Sequence, residues 1–466
     1  MSDHRPPRRD DGPPTRPVVI VSNRGPVSYT LGPDGPVAGR GGGGLAAGLA
    51  PLLEGGGAMW LAAPLTDGDR AVAAAGETLD GVRFVELDPE DHRDAYDVVS
   101  NETLWFVHHG MFDTPRTPTF DARWWDAWAA YRRVNRAAAR AVVEHAPEGA
   151  AVLVQDYHLT LLAPEVRDAR PDLRLVHFHH TPFAGPEGMS VLPPAARREL
   201  LRSLAAHHAC GFHTRRWADR FRAVLAAERI PLPDEVFAAP LGIDLDSLGA
   251  VAGSEECEAE LRELDRTVDG RLLVVRVDRM EPSKNIVRGF EAFDRLLERR
   301  RDLHGRVEFL ACCYPSRESV PAYARYRDEV EAAATAVNAR WSTDGWSPVR
   351  LVTEDRFVRS VAALRRADVV LVNPVRDGLN LVAKEAAALN DRAAQLVLST
   401  EAGVWEELGD AADGVHPFDV EATARALADA LDRSGSERTE RAAELRRLAV
   451  RRTVADWLDD QLAAAG

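Results

Sequence analysis

The sequence predicts an α/β protein of two doubly wound lobes, each a mostly parallel sheet between helices, with a cleft between them. Three observations predict it. With 466 residues the chain can hold two or three domains that each bury a core. Short β-branched runs recur from end to end, separated by longer segments rich in Ala, Leu, Glu and Arg with helical spacing. Strands alternating with helices imply parallel pairing, with helices on both faces of each sheet.

Bulk composition narrows the class. Residues are 45% hydrophobic and 28% charged, as in an ordinary globular protein, and no apolar run is long enough to span a bilayer. A net charge of -15 repels nucleic acid and anionic lipid, so neither is an expected partner. Any phosphate-bearing ligand must then be held by a local cluster of Arg, Lys and backbone amides. Cys210, Cys257, Cys312 and Cys313 lack CxxC spacing and accompanying His pairs, which argues against a zinc site or a disulfide framework. A reducing cytoplasm is the expected compartment.

Taken in order, residues 1–17 are rich in Arg, Asp and Pro, lack the apolar stretch of a secretory signal and are expected to be a disordered tail. The first lobe, 18–245, should carry strands at 18–22, 59–63, 104–108, 152–155 and 173–178. A Pro-Leu-Gly-Ile-Asp segment and a Glu-rich stretch place the lobe boundary within 244–271. The second lobe, 246–449, repeats the rhythm with strands at 272–277, 307–311, 349–352, 369–373 and 396–399. Residues 450–466 have helical spacing and are expected to pack back across the lobes. In such sheets ligands collect where strand ends lead into helices.

Five segments sit at such ends. The first strand closes on Ser22-Asn23-Arg24-Gly25-Pro26, and Gly39-Arg40-Gly41-Gly42-Gly43-Gly44-Leu45 then opens an Ala/Leu segment. Consecutive glycines let the backbone approach a phosphate at a helix N-terminus, although a simple hairpin loop fits the same residues. Gly39, Gly41 and Gly44 match a loose GxGxxG, but too far from the strand for a dinucleotide fingerprint. Asp156 and His180 follow the next central strands, in Gln155-Asp156-Tyr157-His158-Leu159 and His179-His180-Thr181-Pro182-Phe183. His180 suits a sugar hydroxyl or a structural hydrogen bond. Metal ligation lacks a second acidic partner at short fixed spacing, so no metal is expected.

In Val277-Asp278-Arg279-Met280-Glu281-Pro282-Ser283-Lys284-Asn285, Arg279 and Lys284 can both point at one pyrophosphate and stabilise it as it departs. A solvated surface pair is the alternative. Asn373-Pro374-Val375-Arg376-Asp377-Gly378-Leu379-Asn380-Leu381-Val382-Ala383-Lys384-Glu385 again joins strand to helix. Asp377 suits sugar hydroxyls, the amides after Gly378 a phosphate, and Glu385 ribose hydroxyls; helix capping would account for Asp377 and Asn380 equally.

Together these segments resemble the trehalose-6-phosphate synthase family of retaining glycosyltransferases, whose two Rossmann-like lobes form the GT-B fold, over residues 18 to about 431. The resemblance implies that Arg24 and Arg317, the latter in Pro315-Ser316-Arg317, grip an acceptor phosphate, and that Tyr96 and Trp105 line the acceptor pocket. It implies donor contacts from Gly43, Gly44, Arg279, Lys284, Asp377, Gly378, Leu381 and Glu385. Asp156 and His180 would border the transferred glucose or the acceptor, giving a catalytic group of Arg279, Lys284, Asp156 and His180. Arg356 corresponds less closely, since its spacing to Asp377 differs.

One departure stands out: a Trp that well-known bacterial members carry after the glycine helix is replaced by Met59-Trp60-Leu61-Ala62-Ala63-Pro64. The implied reaction moves glucose from a nucleoside-diphosphate glucose to glucose-6-phosphate with retention and without a cofactor. Glycerol phosphate or a cyclitol phosphate is the alternative acceptor, and a non-catalytic sugar-phosphate sensor the alternative class. The donor base and homo-oligomerisation stay open.

Overall fold

Strand β1 (Val18–Ser22) is buried along its whole length because it lies in the middle of a sheet covered on both faces. The computed structural model describes residues 16–32, 35–40, 58–76, 78–79 and 81–466. An antiparallel hairpin of β2 (Val27–Gly32) and β3 (Gly35–Arg40) follows β1. The chain then adds β4 (Ala58–Ala62), β5 (Thr78–Leu79), β6 (Val82–Phe84), β7 (Ala151–Gln155), β8 (Arg174–His179), β9 (Ala209–Phe212) and β10 (Glu235–Ala238) to the first sheet. Its order is β10-β9-β8-β7-β1-β4-β6-β5, parallel except for the short β5 edge.

The second sheet comprises β11 (Leu272–Arg279), β12 (Val307–Tyr314), β13 (Val349–Val352), β14 (Val369–Val372), β15 (Gln395–Ser399) and β16 (Asp413–Val415). It is parallel throughout in the order β13-β12-β11-β14-β15-β16. Each sheet therefore reverses its winding once, between β1 and β7 in the first and between β11 and β14 in the second. Loops at such a switch point splay to opposite faces and leave a crevice at the strands' carboxyl ends. Arg24 and Asp156 flank one crevice; Arg279, Lys284 and Asp377 flank the other.

The expected strand at 104–108 is instead helical. Asp88 accepts hydrogen bonds from the Glu90 and Asp91 amides and Pro89 stands at the first helical position, so the chain enters a helix there. It continues through a π-helical stretch, Ala95–Leu104, into Trp105–His109, and ends at Gly110 with φ 68. A short apolar run cannot distinguish a strand from a buried helix, and the upstream cap decided between them. Strands β6 and β10 carry too little apolar pattern to be seen in the sequence.

Helices Leu245–Ala252 and Glu255–Val268 already pack on the second lobe's helix Phe357–Arg366. The final helix, Val454–Ala464, returns to the first lobe, where Trp457 meets Phe178 edge to face at 5.1 Å. Gln155 Nε2 donates to Gln461 Oε1 of that helix at 3.0 Å. One buried apolar cluster thus holds Val18 and Phe178 of the first sheet, Leu273 and Leu398 of the second, and Trp457. No helix among the described residues is long and apolar enough to cross a membrane.

Candidate active site

Two loops of the second lobe meet first. Lys284 Nζ donates to Asp377 Oδ2 at 2.6 Å, and the same oxygen accepts from Asn380 Nδ2 at 3.1 Å. Backbone bonding joins the loops as well, the Val375 amide donating to the Ser283 carbonyl at 2.8 Å. Beneath them the fully buried Arg276 bonds Asp278 at 2.8 Å and the Lys284 carbonyl at 2.9 Å. Asn285 and Asn380 hold left-handed backbones, with φ 59 and φ 91, and use their side chains to tie the turns: Asn285 Nδ2 bonds the Asn373 and Pro417 carbonyls, while Asn380 Oδ1 caps the helix Leu381–Leu389. Asn tolerates this conformation better than most residues.

Lys284 and Asp377 reinforce each other. Burial opposes both charges, yet Asp377 and other acids raise the Lys284 pKa, and Lys284 lowers that of Asp377. One turn along the same helix the Glu385 carboxyl has no hydrogen-bond partner among the described residues, and burial pushes its pKa up to about 7. Its neighbour Lys384 points the other way, to Glu407 at 2.5 Å and the Leu241 carbonyl at 2.8 Å, and so ties the helix to the lobe junction.

Gly378 lies where the lobes touch. A Cβ there would overlap the His180 carbonyl oxygen, and a Cβ on Gly403 would overlap the Gly378 carbonyl, so both positions need the smallest residue. Trp217 Nε1 of the first lobe donates to the Gly378 carbonyl at 2.9 Å. His180 uses both ring nitrogens on protein: Nε2 donates to Gln155 Oε1 at 2.9 Å, and Nδ1 lies 3.2 Å from His213 Nε2. Asp156 adopts φ 67, ψ 174, a conformation costing on the order of 1–3 kcal/mol that surrounding packing must hold in place. Burial raises its pKa to about 6, against hydrogen bonds from the Tyr157 and His180 amides and the charges of Arg317 and Arg279.

On the opposite wall an aromatic stack runs from His92 through Tyr96 and His158 to Tyr157, with centroid spacings of 6.0, 5.6 and 4.2 Å. His92 Nε2 contacts Asn23 Oδ1 at 3.0 Å, which anchors the stack to the loop bearing the exposed Arg24. Burial, with Arg317, His92 and Arg24, pushes the His158 pKa down to about 3, so Arg24 and Arg317 bring positive charge to the same ring. Arg317, at φ 48, donates to Tyr323 OH at 2.7 Å and Tyr157 OH at 3.4 Å. Its guanidinium lies 5.8 Å from the Trp105 ring centroid, and that ring stacks on His109 at 4.1 Å.

Contacts thus link Tyr96, Trp105, Asp156, His180, Arg279 and Arg317 with the Gly378 and Asp377 loop, while Leu381 and Glu385 lie on the helix that follows it and Arg24 is exposed on the loop after β1. Gly43 and Gly44 lie outside the described residues. Arg356 is spent on Glu260 at 2.8 Å and Glu256 at 3.3 Å, away from these groups. Sequence reasoning passed over Tyr157, Trp217, Tyr323 and Glu281. Glu281 stands between two cations in the segment 277–285; Trp217 carries no local signal, since its partner Gly378 is 161 residues away, and Tyr323 lies on a helix after Arg317 rather than at a strand end.

The sequence profile of glycosyltransferase family 20 matches residues 18–465. A trehalose-6-phosphate synthase of Mycobacterium avium is 32% identical over 96% of this chain and 95% of its own. A bifunctional trehalose-6-phosphate synthase/phosphatase of Thermoproteus tenax is also 32% identical, over 81% of this chain; the match spans 52% of that longer protein. A glucosylglycerol-phosphate synthase of Synechocystis is 29% identical over 71% of each chain. Among solved structures, a UDP-forming α,α-trehalose-phosphate synthase of Burkholderia xenovorans in complex with glucose-6-phosphate superposes with a TM-score of 0.83 at 29% identity, covering 96% of this chain and 100% of that one.

Proposed function

Since the chain belongs to glycosyltransferase family 20 and is a glycosyltransferase of the trehalose-6-phosphate synthase type, we propose that it transfers glucose from a nucleoside-diphosphate glucose to glucose-6-phosphate with retention. The observation that carries this reading is the presence of two cation sets in one cleft. Arg279 ends β11 and Lys284 follows it in the second lobe, whereas Arg24 and Arg317 act on His158 beside the aromatic stack. A diphosphate donor and a phosphorylated acceptor require two such sets. The Burkholderia complex supports the second ligand, and that relative is UDP-forming.

In this mechanism Arg279 and Lys284 bind the diphosphate, Glu385 accepts ribose hydroxyls, and Asp377 and the Gly378–Leu381 segment hold the glucose. Arg24 and Arg317 hold the acceptor phosphate, with Tyr96 and Trp105 shaping its pocket and Asp156 and His180 bordering the sugars. The bond from the anomeric carbon to the diphosphate oxygen breaks with both electrons going to that oxygen. The acceptor hydroxyl oxygen bonds the same carbon from the same face, and its proton passes to the departing phosphate oxygen. Cations that meet the growing negative charge lower the barrier more than they tighten the ground state. No protein nucleophile is consumed.

A second reading changes only the acceptor, to glycerol phosphate. The Synechocystis relative and the tryptophan missing where Met59 to Pro64 stands favour it. Assays crossing UDP-, GDP- and ADP-glucose with glucose-6-phosphate and glycerol 3-phosphate separate the two. Nucleoside diphosphate released only with glucose-6-phosphate, together with an α,α-linked product by NMR, supports the first. Turnover with glycerol 3-phosphate alone replaces it with the second.

A further inference from the structure

Glu281 lies between the two cation sets. It is 2% exposed, and a single oxygen, Oε1, meets Arg279 Nη1 at 3.1 Å, Ser316 Oγ at 3.3 Å and Arg317 Nη1 at 3.5 Å. Pro282 follows it and opens the short helical turn Pro282–Lys284, so its backbone is fixed by the same loop that presents Lys284. Arg317 is held on its remaining sides by Tyr323 and Tyr157 and by the rings of Trp105 and Tyr323. Arg279 is half exposed and has no other ion-pair partner among the described residues. Glu281 is thus the group that sets where Arg279 stands relative to Arg317.

We propose that Glu281 is a positioning residue that holds the donor-diphosphate arginine and the acceptor-phosphate arginine in one fixed relation. The proposal rests on the functional reading above and deepens it. Two guanidiniums sharing a cleft repel each other, and a carboxylate between them removes that repulsion and fixes both forks by charge-assisted bonds. Burial opposes the Glu281 charge, but Arg279, Arg317 and Lys284 outweigh it and keep the carboxylate ionised. The same negative charge competes with incoming phosphates. Glu281 therefore weakens ground-state binding of each substrate while it orders the pair for transfer, a trade that favours turnover over affinity.

That trade has a signature a packing role would lack. Glu281→Gln keeps the shape and removes the charge. It should lower kcat tenfold or more while the KM of each substrate stays level or falls, and calorimetry should find UDP and glucose-6-phosphate each binding as tightly as to the wild type or several-fold more tightly. Glu281→Asp, which keeps the charge, should recover part of kcat. An unchanged kcat, or a rise in both KM values with weaker UDP binding, overturns the proposal. If the wild type turns over no glucose donor with glucose-6-phosphate, the functional reading fails by itself. The UDP titration then still decides for Glu281, since weaker binding to the Gln variant, or no binding to either protein, counts against it.

Discussion

Lys284 Nζ lies 2.6 Å from Asp377 Oδ2, so one ion pair bridges the two loops at the point where the second sheet reverses its winding. Its partners come from loops after β11 and β14, ninety-three residues apart in the chain.

Lys284→Ala leaves Asp377 buried beside Asn380 without its cation. Breaking a buried pair from one side costs about 3 kcal/mol, and loss of a diphosphate contact should lower kcat/KM about a hundredfold, equivalent to about 2.7 kcal/mol of transition-state stabilisation. Urea unfolding and steady-state kinetics check the two effects separately. Because the Asp377 pKa is lowered on folding, its contribution is present at neutral pH and is lost as pH falls through that lowered value.

Glu385 makes the opposite prediction. Its pKa rises from 4.5 to about 7 on folding, so the stability linked to it is present below 4.5 and is lost as pH rises through 7. Glu385→Gln should therefore raise stability at pH 8 by about 1–3 kcal/mol while weakening donor binding. Ribose hydroxyls need the ionised carboxylate, so donor binding near pH 6.5 should release a proton. Calorimetry in buffers of different ionisation enthalpy measures that release, and in the Gln variant it should vanish.

Gly378→Ala places a methyl against the His180 carbonyl oxygen at the contact between lobes. The loop carrying Asp377 must then shift, and a shift of about 1 Å costs on the order of a hundredfold in rate. Activity should collapse with only a modest fall in Tm. Trp217→Phe, which removes the indole bond to the Gly378 carbonyl, should give a milder loss of the same kind.

Acid should unfold this protein early. His108, His177, His179, His207 and His213 are buried, and burial lowers the pKa of each. They are neutral in both states above pH 6.5; below it the unfolded chain takes up protons that the folded chain refuses. Stability should fall by up to about 1.4 kcal/mol per pH unit for each histidine. His177 lies between the rings of His207 at 5.2 Å and His179 at 5.8 Å, and neither of its nitrogens has a hydrogen-bond partner among the described residues. His177→Leu should flatten the acid slope in urea melts between pH 7.5 and 5.5 at little cost near neutrality.

The alternation of strands and helices was legible in the sequence, because β-branched runs and helical spacing are local signals written into neighbouring residues. The sequence also showed where Arg24, Asp156, Arg279, Lys284 and Asp377 sit, since Arg279 ends β11 and the others lie in loops that leave the carboxyl ends of strands. What it misjudged was local as well: 104–108 reads as a strand until the Asp88 cap upstream commits the chain to a helix. Tertiary structure alone decided how the loops face one another. The approach of Ser316 and Arg317 to the Glu281 oxygen that pairs with Arg279, the bond from Trp217 to Gly378 and the link from Gln155 to Gln461 join residues far apart in the chain. Such contacts depend on strand order and lobe packing, and no spacing between neighbouring residues encodes them.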